Sequence, residues 1–184
     1  MRSTKIARRY GRAIFSAASQ LKVITEVEKN LILIVDLLHS NIEFRYFLYN
    51  PAISYSKKLS LLEKIFQNRM HPLILQLLKL LLEKGRAVEF NAICQEFIEL
   101  RRKREHTALA EVFSAYPLPE SDRTKLIQKL ESKVGKKIEA VFHVQEKLIG
   151  GIKVICENYI WNGTLEDAIH RLRESTLYYR LKQI

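Results

Sequence analysis

The residues of this chain that could do chemistry are few, and their spacing does not suit them to it. Gly150-Gly151 could in principle cradle a phosphate. Such a cradle needs backbone amides converging at a helix N-terminus, and this pair instead leads into an apolar, strand-like run. Gly135-Lys136-Lys137 lacks the upstream glycine of a phosphate loop, because position 130 is Leu130. The five histidines, His39, His71, His106, His143 and His170, form no metal-ligand spacing with each other or with Cys94 and Cys156. No serine sits in a nucleophile elbow. Asn162-Gly163-Thr164 spells a glycosylation acceptor, but a turn followed by a helix cap accounts better for the same residues. Both cysteines lie inside apolar patterns, where buried, reduced thiols are expected, as suits a cytosolic or matrix compartment. The expectation is a chain with no catalytic residue, no cofactor and no metal.

What remains is charge and helical pattern. Thirty-one Lys and Arg against 20 Asp and Glu leave a formal net charge of +11, which favours an anionic partner: nucleic acid, an anionic membrane surface or an acidic protein. "RRKR" at Arg101–Arg104 makes RNA binding the alternative to a protein-docking role. Against it, Phe and Tyr fall at core spacing, and no basic-aromatic stacking motif is present. No run reaches the ~18 apolar residues of a membrane helix. The nearest, Leu73–Leu82, is interrupted by Gln76 and Lys79.

The elements that must position these residues begin at once. Ile6, Tyr10, Ala13, Ala17 and Leu21 recur at helical spacing opposite Lys5, Arg8, Arg9 and Arg12. The same Arg-rich, acid-free start has the composition of a mitochondrial transit peptide, and the pattern alone does not separate the two. A second helix is expected from Val23 to about His39, with Val27, Leu31, Ile34 and Leu38 inward. A third, "IEFRYFLYN", stops before Pro51, and Ser54 or Ser56 can cap a fourth that runs to Phe66. His71-Pro72 opens a fifth, closed at Gly85. A sixth runs from about Arg86 to Arg104, with Val88, Ile93, Phe97 and Leu100 at helical spacing. After "RRKREH" the grammar changes to "TALAEVFSAY", a helix in "DRTKLIQKLESKVG", then the strand-like runs "KIEAVFHV", "GIKVIC" and "YIW". Asn162-Gly163 is expected to break the chain before a last helix, capped by Thr164 with Asp167, whose inner face would carry Leu165, Ile169, Leu172 and Thr176. The expected fold is two domains: an all-α six-helix bundle over 1–104 and a small α+β domain over 107–184.

Two features exceed what a bundle requires. The apolar residues of Leu73–Leu82 spread over roughly 220° of the helix wheel, where a surface helix needs a stripe little more than about 100° wide. Leu73, Leu77 and Leu80 form one flank, and Leu75, Leu78 and Leu82 the other. The first helix is crowded with small residues, Ala7, Gly11, Ala13, Ala17 and Ala18, and Gly11 costs ~1 kcal/mol relative to Ala in a helix interior. Either another helix docks there, or the bundle itself packs tightly.

"ARRYGRAIF", "EKGRAVEF", "AEVFSAYPL" and "LIGGIKVICENYIWNGTLEDAIHRL", in that order, resemble the delta subunit family of F-type ATP synthases, whose mitochondrial relative is the oligomycin-sensitivity-conferring protein. The match spans essentially the whole chain and favours the first helix as part of the fold. Departures occur at Gly11, where the family usually has Ala, at Gln145-Glu146 and at Trp161-Asn162, and they bear on local hairpin geometry. The resemblance implies a non-catalytic stator subunit. Its N-terminal domain would hold the N-terminus of an alpha subunit between helices 1 and 5, and its C-terminal domain would join the C-terminal ends of the peripheral-stalk b subunits. Together with the two helix features, that puts the alpha dock at Ala7, Tyr10, Gly11, Ala13, Leu73, Leu77 and Leu80. Gly150, Gly151 and Gly163 become structural glycines of the C-terminal signature. No direct nucleic-acid partner is implied, and membrane contact comes only through the complex. The implied location is the cytoplasmic face of the bacterial inner membrane, or its organellar equivalent.

Overall fold

A computed structural model describes residues 5–66 and 69–181, with side chains as far as 173. The chain divides into two compact units, Met1–Arg104 and Glu105–Ile184. The first is mostly helical and the second is small, with both helices and strands.

The helical unit contains α1 (Lys5–Gln20), α2 (Ile24–Ser40), α3 (Ile42–Tyr49), α4 (Tyr55–Phe66), α5 (Pro72–Glu83) and α6 (Phe90–Arg104). Local chemistry explains most of the boundaries. The Asn41 side chain accepts from the Phe44 amide at 2.8 Å to start α3. His71 Nδ1 accepts from the Leu73 amide at 3.3 Å, and Pro72 follows where its missing N–H costs nothing. Past the end of α5, Gly85 takes φ +65°, the left-handed conformation that glycine adopts without a Cβ penalty.

Val27, Leu31, Ile34 and Leu38 of α2 are all buried, as their spacing predicts. Two other faces differ from expectation. The buried stripe of α1 is Ala7, Tyr10, Gly11, Ile14 and Ala18, while Ala13 and Leu21 are exposed. In a helix ringed by alanines, hydropathy marks the basic side clearly but does not fix which neighbouring stripe turns inward. The helix expected from Arg86 begins instead with a 3₁₀ turn, Ala87–Glu89, which leaves Val88 at the surface. The inward face of α6 is Phe90, Ile93, Cys94 and Phe97.

The second unit runs β1 (Thr107–Ser114), α7 (Glu120–Val134), β2 (Lys137–Val144), β3 (Gly151–Cys156), β4 (Tyr159–Thr164) and α8 (Leu165–Leu181). The sheet order is β2-β1-β3-β4, with β1 and β2 parallel and the other pairs antiparallel. Parallel neighbours need a crossover, and α7 supplies it. Alternation along β1 is strict: Ala108, Ala110, Val112 and Ser114 are buried, and the residues between them are half-buried. With Leu130 of α7 and Val154 and Cys156 of β3, the three apolar residues form the core of this unit. Asn162-Gly163 does not break the chain, because β4 continues through it to Thr164. The Thr164 hydroxyl then accepts from the Asp167 amide at 3.3 Å and starts α8.

Candidate interaction surfaces

The residues that could have done chemistry are occupied with structure. Among the described residues no group of three His, Cys, Asp or Glu could hold a metal. His39 Nε2 lies 3.2 Å from Asn91 Nδ2, His71 caps α5, and His143 stacks on Phe113 at 5.0 Å. The basic run in the last turn of α6 is likewise partly tied down. Arg101 donates to Glu28 at 2.9 Å in a pair whose side chains are only 13% and 14% exposed, and Arg104 donates to the Ser19 hydroxyl. Both arginines join α6 to its neighbours within the unit; Arg101 is largely withdrawn from the surface, and Arg104 stays exposed.

Both cysteines are buried. Burial, with Glu28 and Asp36 adding repulsion, pushes the Cys94 thiol up to about 12. In the unfolded chain a thiol ionises near about 8.5. The protonated thiol therefore contributes its full share of stability below that pH, and this share is lost as pH rises towards 12. Iodoacetamide at pH 8 is expected to leave Cys94 unmodified in the folded protein and to alkylate it in urea. Mass spectrometry of the peptide carrying Cys94 checks this, and equal labelling in both conditions would contradict the buried placement.

Gly11 explains the small-residue crowding on α1. A Cβ there would lie 2.7 Å from Cγ and 2.8 Å from Cβ of Glu96, and 3.3 Å from the Ile93 carbonyl oxygen. The close neighbour is therefore α6 of the same unit. One turn on, Phe15 meets Phe97 edge-to-face at 5.4 Å. Four of the seven residues assigned above to the alpha dock lie on inward-facing helix stripes. Ala7, Tyr10, Gly11 and Leu77 are buried in the helical core, so Ala13, Leu73 and Leu80 are the members of that set with more surface to offer. The Tyr10 hydroxyl accepts from Arg86 Nη1 at 3.2 Å, so its polar end is also engaged internally.

The wide apolar arc of α5 resolves in the same way. Ile74, Leu77, Leu78 and Leu81 are buried, and Leu73, Leu75 and Leu82 pack partly against the core. Leu80 remains 40% exposed. The flank of α1 away from Gly11 and Phe15 carries the exposed Ala13 and the half-buried Ile6 and Ala17. On these two helices, Ala13, Leu73 and Leu80 keep surface that a partner could cover.

Two of the three signature glycines, Gly151 and Gly163, sit against backbone atoms that cannot move aside for a Cβ, whereas Gly150 faces only a side chain. Gly151 takes φ +85°, and a Cβ there would overlap the Gly163 carbonyl oxygen and lie 2.9 Å from Thr164 Cα. Gly163 lets the strands close up, with the site of its missing Cβ 3.3 Å from the Ile152 carbonyl oxygen. A Cβ at Gly150 would meet Leu165 Cδ1 at 2.7 Å.

The largest departure from expectation is α8. Leu165, Ile169 and Leu172 are 49%, 60% and 66% exposed, so the face expected to point inward points out. Thr176 falls outside the described side chains. Periodicity reports that a helix has an apolar face but not whether this chain covers it. On the sheet face turned away from Ala110 and Val154, the register groups Leu109, Phe113, Val141, Ile155 and Ile160. Val141 and Ile160 of that set are exposed. Large exposed apolar groups of this kind mark interaction sites on soluble proteins.

Comparisons with known proteins agree along nearly the full length. The family model described as "ATP synthase delta (OSCP) subunit" matches residues 6–176. A protein named ATP synthase subunit delta from Desulfitobacterium hafniense (strain Y51) is 32% identical over 170 residues, covering 92% of this chain and 95% of that protein. Its namesake in Crocosphaera subtropica is 29% identical over 171 residues, covering 92% of each chain. Among solved structures, a chain in the cryo-EM structure of the Toxoplasma gondii mitochondrial ATP synthase hexamer has the same fold. The TM-score is 0.74 at 19% identity, over 95% of this chain and 98% of that one.

Proposed function

The chain belongs to the ATP synthase delta (OSCP) subunit family, and from that premise we propose that it holds two partners at once. It is a non-catalytic subunit of the ATP synthase, peripheral to the membrane-bound complex. Among the described residues no helix is long and apolar enough to cross a membrane. In the proposed arrangement the helical unit grips the N-terminus of an alpha subunit, and the α+β unit grips the C-terminal ends of the peripheral-stalk b subunits. In a bacterium the complex would present both at the cytoplasmic face of the inner membrane.

The task is mechanical. Rotation of the central stalk drags on the catalytic head, and a stator must transmit the counter-torque without moving. Such a link needs no reaction, only tight binding at both ends. A nanomolar dissociation constant corresponds to about −12 kcal/mol. Buried apolar anchors supply most of that in protein interfaces, with a few residues dominating. One observation carries the two-partner reading: each unit has a hydrophobic core of its own and, outside it, apolar residues that stay exposed among the described residues. Leu80 stands out on α5, and Ile160, Leu165, Ile169 and Leu172 on the other unit.

Leu80→Asp is expected to leave the helical unit folded, because the residue stands outside the core. It should cost several kcal/mol in affinity for a peptide of the alpha N-terminus, since a carboxylate would be stranded in a dry interface. Ala13→Leu should weaken binding by blocking close helix approach. Circular dichroism, melting temperature and calorimetric titration of each variant test this. Unchanged affinity in a folded Leu80→Asp protein would remove α5 from the alpha dock, and unfolding would assign Leu80 to the core.

A further inference from the structure

The crossover helix covers only part of its sheet. Leu130 of α7 is buried in the core, and Arg123 lies 4.9 Å over the Phe142 ring of β2. Beyond them, towards β3 and β4, the packing stops short. Leu126 and Leu130 on one side and Ile152, Val154, Trp161 and Gly163 on the other enclose a pocket of about 210 Å³. That is smaller than the roughly 300–1,000 Å³ of small-molecule sites and suits one or two apolar side chains from a partner. The floor continues outward, since exposed Tyr159 stacks on Trp161 at 5.5 Å and 18°.

The wall of this groove is basic. Lys129 and Lys133 line it from α7, both exposed, and no carboxylate lines the pocket with them. They stand one helical turn apart, about 6 Å along the axis. Carboxylates at i and i+4 on a facing helix have the same spacing. A second copy of this chain fits poorly, because each copy carries a net charge of +11 and would bring like charge to the lysine wall.

We propose that this groove between α7 and the β3–β4 edge seats an acidic amphipathic helix of the peripheral-stalk partner, with an apolar side chain in the pocket and carboxylates on Lys129 and Lys133. The mode is a helix in a groove, with apolar anchoring and charge setting the register. The proposal rests on the stalk-docking reading of this unit and adds where, and by what chemistry, the stalk is held.

Trp161 is the only tryptophan in the chain, so its emission reports occupancy of this groove. The full-length protein is titrated with a synthetic peptide spanning the C-terminal segment of the same organism's peripheral-stalk b protein, at low and moderate salt. Three proteins are compared: wild type, Lys129→Glu/Lys133→Glu, and Lys57→Glu/Lys64→Glu, which makes the same charge change at exposed sites on the other unit. The expected result is a saturable blue shift of Trp161 in wild type and in the Lys57/Lys64 control. Binding to the Lys129/Lys133 variant should weaken about tenfold or more, with the difference shrinking as salt rises. Equal affinity for all three proteins by calorimetric titration, with unmoved Trp161 emission, would overturn the groove while leaving the stalk reading intact. A peptide that fails to bind wild type at all would overturn both.

Discussion

Replacing Gly151 by alanine is expected to unfold the C-terminal unit, or to bring it close to unfolding, while the helical unit keeps its structure. Two costs act together. At φ +85° an L-residue is held in a strained region that costs on the order of 1–3 kcal/mol. The added methyl would also overlap the Gly163 carbonyl oxygen, which belongs to the backbone and cannot swing away as a side chain can. Relief would require breaking the Gly151–Thr164 register that joins β3 to β4 and leads into α8. A total loss of about 3–5 kcal/mol follows from these combined mechanisms, against a whole-domain stability of only about 5–15 kcal/mol. Urea unfolding followed by Trp161 emission reads this unit, and far-UV circular dichroism reads mainly the helices. The Trp161 midpoint should fall sharply while most helical signal persists. Gly163→Ala should be milder, since its methyl would meet the Ile152 carbonyl oxygen at 3.3 Å. A wild-type Trp161 midpoint for Gly151→Ala would mean that the hairpin does not close as described.

Phe97→Ala is expected to damage the other unit by a comparable amount. Phe97 is fully buried and edge-stacked on Phe15, one turn from the tight contact of α1 with α6 at Gly11. Truncating a buried phenylalanine costs about 3–5 kcal/mol, combining lost transfer energy with the cavity left behind. Here collapse into the cavity is limited, because α6 is also held by the Arg101–Glu28 pair. The variant should lose most of its helical unfolding midpoint, with Trp161 emission in the C-terminal unit unchanged. A shift below about 1 kcal/mol would show that the α1–α6 seam repacks freely.

Much of this was legible in the sequence because the signals are local. The spacing of Val27, Leu31, Ile34 and Leu38 states both a helix and its buried face, since only one stripe of α2 is consistently apolar. His71-Pro72, Gly85 and Gly135 mark helix ends through their own backbone limits. The absence of spaced ligands or a phosphate loop argues against catalysis at the level of residue order alone. Family membership was also readable, because it lies in the order of four motifs along the chain.

The tertiary structure decided which apolar residues are covered, and by what. Gly11 and Ala7 looked like a dock for a foreign helix because small residues permit close approach, but nothing local says whose helix approaches. The structure places α6 there. Ile169 and Leu172 read as core for the complementary reason: an apolar stripe has the same periodicity whether its own chain or a partner buries it. The pocket beside Lys129 and Lys133 is equally absent from the sequence, because it exists only where a crossover helix is too narrow for the four strands beneath it. Helix and strand propensity act over a few residues and can be read from them. Burial is a property of surfaces that meet from distant parts of the chain, so here the partition between core and contact surface became visible only once α1 met α6 and α7 lay across the sheet.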